Sequence, residues 1–269
     1  MPGLIVHLDH ILRQTRATVA ERKKQVPLRE LEQRASRHAS RGFAQALRKR
    51  ALEGPAIIAE LKKASPSKGL IRTEFDPRSL AVELADAGAT ALSVLTDGPF
   101  FQGSLTNLEV ASDAVTIPCL RKDFMVDEYQ IVEARAHGAD AILLIVAALT
   151  NSELKQMRGA AHGYELDVLC EVHSKEELAR AKDLGCEAYG VNNRNLKTFE
   201  VRLENSLELA EMLPPGAVHV AESGIHTAED IQRLRSAGYH AFLIGESLMR
   251  QSSPGAALAQ LLQPAAARV

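Results

Sequence analysis

Eight short apolar runs alternate with helix-like segments, four of them are entered through the same helix–glycine–strand junction, and no G-x-G-x-x-G turn follows an early strand. Together these observations predict an α/β fold, a (β/α)8 TIM barrel with an N-terminal helical extension. The junctions are ADAGATALSVL, ARAHGADAILLIV, AKDLGCEAYGVN and RSAGYHAFLIG, with Gly88, Gly138, Gly185 and Gly238 placed as helix C-caps. Their separations of 50, 47 and 53 residues accommodate two strand–helix units per period. An open doubly wound sheet is the alternative, but that fold usually carries the missing glycine-rich turn.

In chain order, residues 4–24 and 28–52 read as two helices broken near Pro27. They form an arm whose Leu8, Ile11 and Leu12 share a face that must bury against the barrel. The strands follow: AIIAELK after Pro55, ALSVL, CLRKDF after Pro118, AILLIV, DVLCEV from Asp167, AYGVN, VHVAES after Gly216, and AFLIG. One domain is expected over 1–269, with 4–52 as the arm and about 55–263 as the barrel.

The composition, 46% hydrophobic and 25% charged, is that of a soluble globular chain. No stretch approaches the roughly 20 apolar residues of a membrane span, and Asp9 and His10 interrupt any signal-peptide pattern, so a cytoplasmic location without membrane partners is expected. Cys119, Cys170 and Cys186 lie singly in apolar runs and read as buried hydrophobes rather than disulfide or zinc ligands. Residues 1–50 hold twelve Lys/Arg against four Asp/Glu, a net +8, which leaves −10 for the remainder of a chain whose total is −2. The basic charges, including Lys23-Lys24 and Arg48-Lys49-Arg50, are spread at helical spacing with few aromatics, a solvated helix face rather than a nucleic-acid site.

Barrel enzymes carry their chemistry at the C-terminal ends of the strands. Polar residues there are Glu60 and Lys62, Asp97, Lys122 and Asp123, Glu171, Asn192 to Arg194, Glu222 and Ser223, then Gly245 and Glu246. Only the fourth strand ends without one. Glu60 and Lys62, two apart, project to the same side. A rim ion-pair network would explain one such strand, whereas convergence from strands one, three, five and seven points to a site. The glycines of AESGI and LIGESL, after the last two strands, suit close backbone approach to a phosphate, with the Glu246 side chain expected to cap the following helix. Metal-ligand spacings, a G-x-S-x-G elbow and a P-loop are absent, and His173 and the other histidines read as solvated or satisfied side chains. Neither a metal nor a cofactor is expected.

The strings IIAELKKASPSKG, LTDGPFFQGS, LRKDFMVDEYQI, LCEVHS, VNNRNLKTF, AESGI and LIGESLM, in this order, resemble indole-3-glycerol-phosphate synthase over essentially the whole chain. The resemblance implies a cofactor-free conversion of 1-(2-carboxyphenylamino)-1-deoxyribulose 5-phosphate to indole-3-glycerol phosphate, with loss of carbon dioxide and water. It implies Lys122 as the general acid toward the ribulose carbonyl and Glu171 as the group that handles the proton during dehydration. Glu60, Asn192, Glu222 and Ser223 would position the sugar hydroxyls and the lysines, and Lys62 would sit beside the substrate carboxylate or phosphate. Arg194 would face the carboxylate, Phe124 would pack on the aromatic ring, and Ser65, Gly224, Gly245 and Glu246 would surround the phosphate. Glu246 stands where many relatives carry serine, and Asn195 where some carry aspartate. Phosphoribosylanthranilate isomerase, with a cysteine/aspartate pair, is the rival enzyme; a phosphate-ligand binder without catalysis is the rival of another class. The arm is expected to border the barrel mouth, where its positive charge would favour a polyanionic substrate.

Overall fold

All eight expected strands form: β1 Ala56–Leu61, β2 Ala91–Leu95, β3 Cys119–Lys122, β4 Ala141–Ile145, β5 Asp167–Val172, β6 Ala188–Asn192, β7 Val218–Glu222 and β8 Ala241–Ile244. They come from a computed structural model that describes residues 8–196 and 198–263. Each strand pairs in parallel with the next, and β8 closes on β1 through Ala56↔Ala241 and Ile58↔Leu243, completing a barrel without edges. The helices that return the chain include α4 Pro77–Asp86, α5 Leu105–Ala114, α6 Tyr129–Ala136, α7 Asn151–Gly163, α8 Lys175–Ala181, α9 Glu204–Leu209, α10 Ala228–Ser236 and α11 Pro254–Leu261; to keep that numbering in chain order, α1 to α3 denote the arm. Thr150 and Thr227 open α7 and α10 with reciprocal capping boxes, while Gly88, Gly138, Gly185 and Gly238 take φ of 100°, 81°, 67° and 99° after their helices.

The period-two alternation of the strands divides the core into two layers. Outward residues such as Ile57, Ala59, Val94, Ile142 and Phe242 pack against the helices. Inward residues such as Ile58, Leu120, Leu169, Val220 and Leu243 fill the barrel. Continuing the inward register toward the strand ends, Ile58 leads to Glu60, Leu120 to Lys122, Leu169 to Glu171, and Val220 to Glu222.

The arm is built of α1 Leu8–Gln25, α2 Leu28–Ala35 and α3 Phe43–Ala51. Residues 4–7 lie outside the described residues. The single helix expected over 28–52 is therefore two, parted by residues 36–42. The cause is tertiary: Arg41 turns inward and donates from its backbone N–H and Nε to Asp140, and from its terminal nitrogens to Ser112 and the Gly138 carbonyl. Gly42, at φ 67°, then restarts the chain as α3. Phe43, Ala44 and Leu47 of α3 plug the barrel at its strand-start end, among Ala56, Ala91, Ala188 and Val218. Leu8 and Ile11 of α1 reach the opposite end and line the cavity there, as expected of an arm that borders the mouth.

Much of the arm's positive charge is paired with the barrel. Arg16, Arg22, Lys23, Arg34 and Arg41 pair with Glu153, Glu133, Asp127, Glu109 and Asp140 of the barrel. The excess of +8 thus docks the arm on an acidic barrel. The exposed pairs, Arg16–Glu153, Lys23–Asp127 and Arg34–Glu109, contribute at most about 1 kcal/mol each. Arg41–Asp140, at 2.7 Å with the carboxylate fully buried, is another matter. Burial alone would raise the Asp140 carboxyl, but hydrogen bonds from His38 and Arg41 hold it below its usual range. Arg41→Ala strips that buried charge of its main partner, so the urea midpoint should fall by the equivalent of about 3–5 kcal/mol. Arg41→Lys, which lacks the planar fork, should recover only part of the loss.

Candidate active site

Eleven of the thirteen expected site residues line one cavity of about 160 Å³ at the strand-end mouth: Glu60, Lys62, Ser65, Lys122, Phe124, Glu171, Asn192, Arg194, Glu222, Ser223 and Glu246. Gly224 and Gly245 are not among its lining residues. Gly245 instead makes room: a Cβ there would collide with the Glu60 carboxylate, and at Gly190 it would collide with that of Glu222. An adjoining polar cavity of about 580 Å³ shares Leu8, Asn192, Arg194 and Leu196 with the first.

At the centre, Lys122 Nζ donates to Glu171 Oε2 at 2.9 Å and to Glu222 Oε2 at 2.7 Å. Lys62 Nζ meets Glu60 Oε2 at 2.8 Å. Burial works to lower the pKa of Lys122, but Glu171, Glu222 and Glu60 outweigh it and hold the ammonium above the ordinary lysine range. The two carboxylates on Lys122 then part company. Glu171 is kept ionised against its burial by Lys122 and by His173, whose Nε2 lies 3.3 Å from Glu171 Oε1. Glu222 makes the shorter contact with Lys122 yet is pushed up to about 7, by burial and by the negative charge of Glu171. The difference lies in the second oxygen, since Glu222 Oε1 is buried without a hydrogen-bond partner. Glu222 is therefore the carboxylate that takes up a proton most readily.

The side of the mouth expected to take phosphate is built from backbone and one hydroxyl. Ser65 Oγ is buried without a hydrogen-bond partner and faces the cavity. Ser223 and Gly224 both adopt left-handed backbone, φ 67° and 78°, where β7 ends, and the serine's conformation stores about 1–3 kcal/mol of strain. Asn193 holds that turn, donating from Nδ2 to the Ser223 carbonyl and accepting from Ser206. The short helix Glu246–Met249 makes its first bonds from Leu248 and Met249 back to Gly245, so the amides of residues 246 and 247 precede its ladder. Glu246 does not cap this helix as expected. Its carboxylate is drawn to Arg250 at 2.9 Å and Arg194 at 3.6 Å, because two guanidinium groups outbid a backbone N–H.

Several lining residues carry no charge to betray them in sequence. Phe101, Leu143, Ile145, Phe199 and Leu243 wall the cavity, and Phe101 lies 6.3 Å from Phe124 between ring centroids. The fourth strand, which ends without a polar group, thus supplies apolar wall. The three cysteines are buried and none lines the cavity, which removes the cysteine/aspartate alternative.

Comparison with known proteins agrees with this geometry. The family model for indole-3-glycerol phosphate synthase matches residues 8–261. The chain is 64% identical over 255 residues to the indole-3-glycerol phosphate synthase of Koribacter versatilis, covering 95% of this chain and 98% of that one. It is 50% identical over 256 residues to the one from Polaromonas sp., covering 94% and 97%. Among solved structures, a mutant tryptophan synthase α-subunit from Pyrococcus furiosus superposes with a TM-score of 0.60 at 15% identity, over 77% of this chain and 97% of that one, which shows the shared barrel alone.

Asp97, at the end of β2, offers a measurement of what this mouth costs the fold. Burial, abetted by Asp123, raises its carboxyl to about 6, although the side chain accepts the Phe100 N–H at 2.8 Å. Below pH ~4 the group is protonated in both folded and unfolded chains and carries no penalty; above pH ~6 it is ionised in both but well solvated only when unfolded. Stability should therefore fall as pH rises through this window. Asp97→Asn keeps a cap acceptor without the charge and should be more stable than wild type at pH 7 by up to about 3 kcal/mol. In thermal melts that advantage should vanish below pH ~4.

Proposed function

The chain belongs to the indole-3-glycerol phosphate synthase family, and from that premise we propose that Lys122 and Glu171 carry its ring closure and dehydration. It is a carboxy-lyase of tryptophan biosynthesis that acts on a phosphorylated small molecule. The finer reading gives it 1-(2-carboxyphenylamino)-1-deoxyribulose 5-phosphate as substrate and the cytoplasm as its location. Among the described residues, no helix is long and apolar enough to cross a membrane.

The observation that carries the reading is the clamp on Lys122, an ammonium held between Glu171 and Glu222 at the inner end of β3. Its raised pKa keeps it loaded with a proton at neutral pH. When the ring carbon attacks the ribulose ketone, the oxygen becomes an alkoxide, a stronger base than an amine, so transfer from Lys122 is downhill. The remaining neighbours stabilise the charge before and after transfer without reorganising. Glu171, ionised and hydrogen-bonded to Lys122, is placed to take the proton that the chain methylene loses during dehydration. Glu60 orients Lys62, while Asn192, Glu222 and Ser223 face the sugar.

Phosphate is read onto Ser65 and the amides at 246 and 247, with Gly224 and Gly245 permitting the close backbone approach. Arg194, poised near Glu246, would meet the anthranilate carboxylate, and Phe124 with Phe101 would cover its ring. Gripping both ends of a flexible chain folds the ring carbon onto the ketone, a contribution that reaches about 7–11 kcal/mol in favourable intramolecular systems.

Lys122→Ala should lose about 10²–10⁴-fold in kcat, read by the fluorescence of the indole product, with KM far less affected. Lys122→Arg should also be poor, because guanidinium keeps the charge and does not give up its proton. Retention of more than about a tenth of wild-type turnover by Lys122→Ala lies outside the range of general acid catalysis and would pass the donor role to Lys62.

A further inference from the structure

The reaction proposed above has a proton requirement that the Lys122–Glu171 pair cannot meet alone. The substrate enters as an ionised carboxylate, while carbon dioxide and water leave uncharged and the phosphate is unchanged. The ring carbon–ketone carbon bond forms as the carbonyl oxygen takes one proton. The ring carbon–carboxylate bond then breaks, and its electron pair stays with the ring. Finally the hydroxyl departs as water with a second proton, while the chain methylene returns one to the base. Two protons are delivered and one is recovered, so each turnover draws one from solvent.

Glu171 is enclosed, with 3% of its side chain exposed, and one oxygen is occupied by Lys122. Its other oxygen, Oε1, faces His173 Nε2 at 3.3 Å. That nitrogen is buried and stands beside Glu171 as an ion-pair neighbour without the alignment of a hydrogen bond, so a small rotation of the ring is needed to bring its proton onto Oε1. His173 lies two residues past Glu171, in the bend just beyond the end of β5. On the far side, Nδ1 is 3.1 Å from Glu177 Oε2, which also accepts the His173 backbone N–H at 2.8 Å. The ring thus bridges two carboxylates that both favour its doubly protonated form. Burial opposes that form, but Glu171 and Glu177 outweigh it and raise the imidazole to about 10. The same ring lines the adjoining cavity of about 580 Å³, next to the pocket that holds Lys122 and Glu171. The charged groups Asp9, Glu177, Arg194, Glu200, Arg202 and Glu208 also face that cavity.

We infer that His173 is the proton entry of this site, a positioning and relay residue that acts through Glu171 to restore the proton each turnover consumes. The Nε2 proton passes to Glu171 Oε1, and a proton leaves Oε2 toward the depleted lysine. The imidazole keeps its Nδ1 proton on Glu177 while Nε2 is emptied, and because Nε2 is buried the ring must turn toward the adjoining cavity to regain that proton from water. No other reactant is needed. The inference rests on the catalytic reading of Lys122 and Glu171.

The test compares kcat and KM of wild type, His173→Ala and His173→Gln at pH 8 in dilute buffer, with and without added imidazole. Both variants should lose about tenfold or more in kcat, less than the full range of direct acid–base catalysis because water still reaches Glu171 slowly. KM should stay within about twofold, since His173 acts outside substrate binding. Added imidazole should restore kcat of the variants and leave wild type unchanged. His173→Gln can still offer an N–H to Glu171 but cannot relay a proton, so wild-type kcat in that variant would overturn the inference. So would a loss that imidazole fails to relieve, or a rise in KM with unchanged kcat. If His173→Ala does not fold, the glutamine variant decides. Glu171→Gln measured alongside separates the two readings: wild-type turnover there removes the catalytic base itself, whereas its loss beside unaffected His173 variants removes only the relay.

Discussion

The mouth of this barrel buries more carboxylate than it has ammonium to match. Glu60, Glu171 and Glu222 share Lys62 and Lys122, and all five side chains are mostly withdrawn from water. Buried charges of this kind are tolerated only when paired, and a cluster with one anion to spare cannot be fully paired. The surplus falls on Glu222, whose second oxygen has no hydrogen-bond partner, whereas Glu171 escapes it by leaning on His173. Much of the surrounding structure follows. Residues 190 and 245 must lack a side chain for the carboxylates to fit, and strand alternation must bring several chain-distant acids inward at the same height. A lysine so placed is held charged by its neighbours while its surroundings stay poor in water, the condition under which preorganised electrostatics has most effect.

The fold was legible because its signals are local and repeated. Apolar runs of four to six residues, all but the fourth closed by a polar residue, and the glycines after helices lie within a few positions of what they specify. The charged part of the site was legible for the same reason, since a lysine or glutamate continuing an apolar alternation is conspicuous. The break at residues 36–42 was not, because Arg41 leaves its helix for Asp140, 99 positions away. The pairing of Glu246 with Arg194 was hidden too, since that neighbour comes from the turn after β6, whereas Arg250 lies only four residues on. Phe101, Leu143 and Phe199 are ordinary hydrophobes until the barrel shows which way they face. His173 carried only a weak signal: it stands two residues beyond Glu171, just past the strand end, where a solvated or satisfied histidine is the ordinary reading.

The arm joins the two ends of the barrel. Its first helix contributes Leu8 and Ile11 to the cavity, and Arg22 reaches Glu133, which also holds the fully buried Arg121, the neighbour of Lys122 on β3. Arg121 in turn donates to Thr96 and Asp123, tying the ends of β2 and β3 together. The packing that seats the arm is thus continuous with the packing that aims the lysine, and the region behaves as one mechanical unit.

The plug formed by α3 has a consequence for the order of assembly. Phe43 and Leu47 leave the ribosome before any strand exists, yet the socket that receives them is lined by Ala56 at one extreme of the barrel and Ala241 at the other. Until about nine-tenths of the chain has been made, the segment that ends in α3 has nowhere complete to go, and its apolar face stays open to other partners. Closure links residues nearly 200 positions apart, a long-range pairing of the kind that forms slowly. The basic residues that later find the barrel's acids also keep this waiting segment charged and dispersed, which makes the uneven distribution of charge useful before the native state is reached.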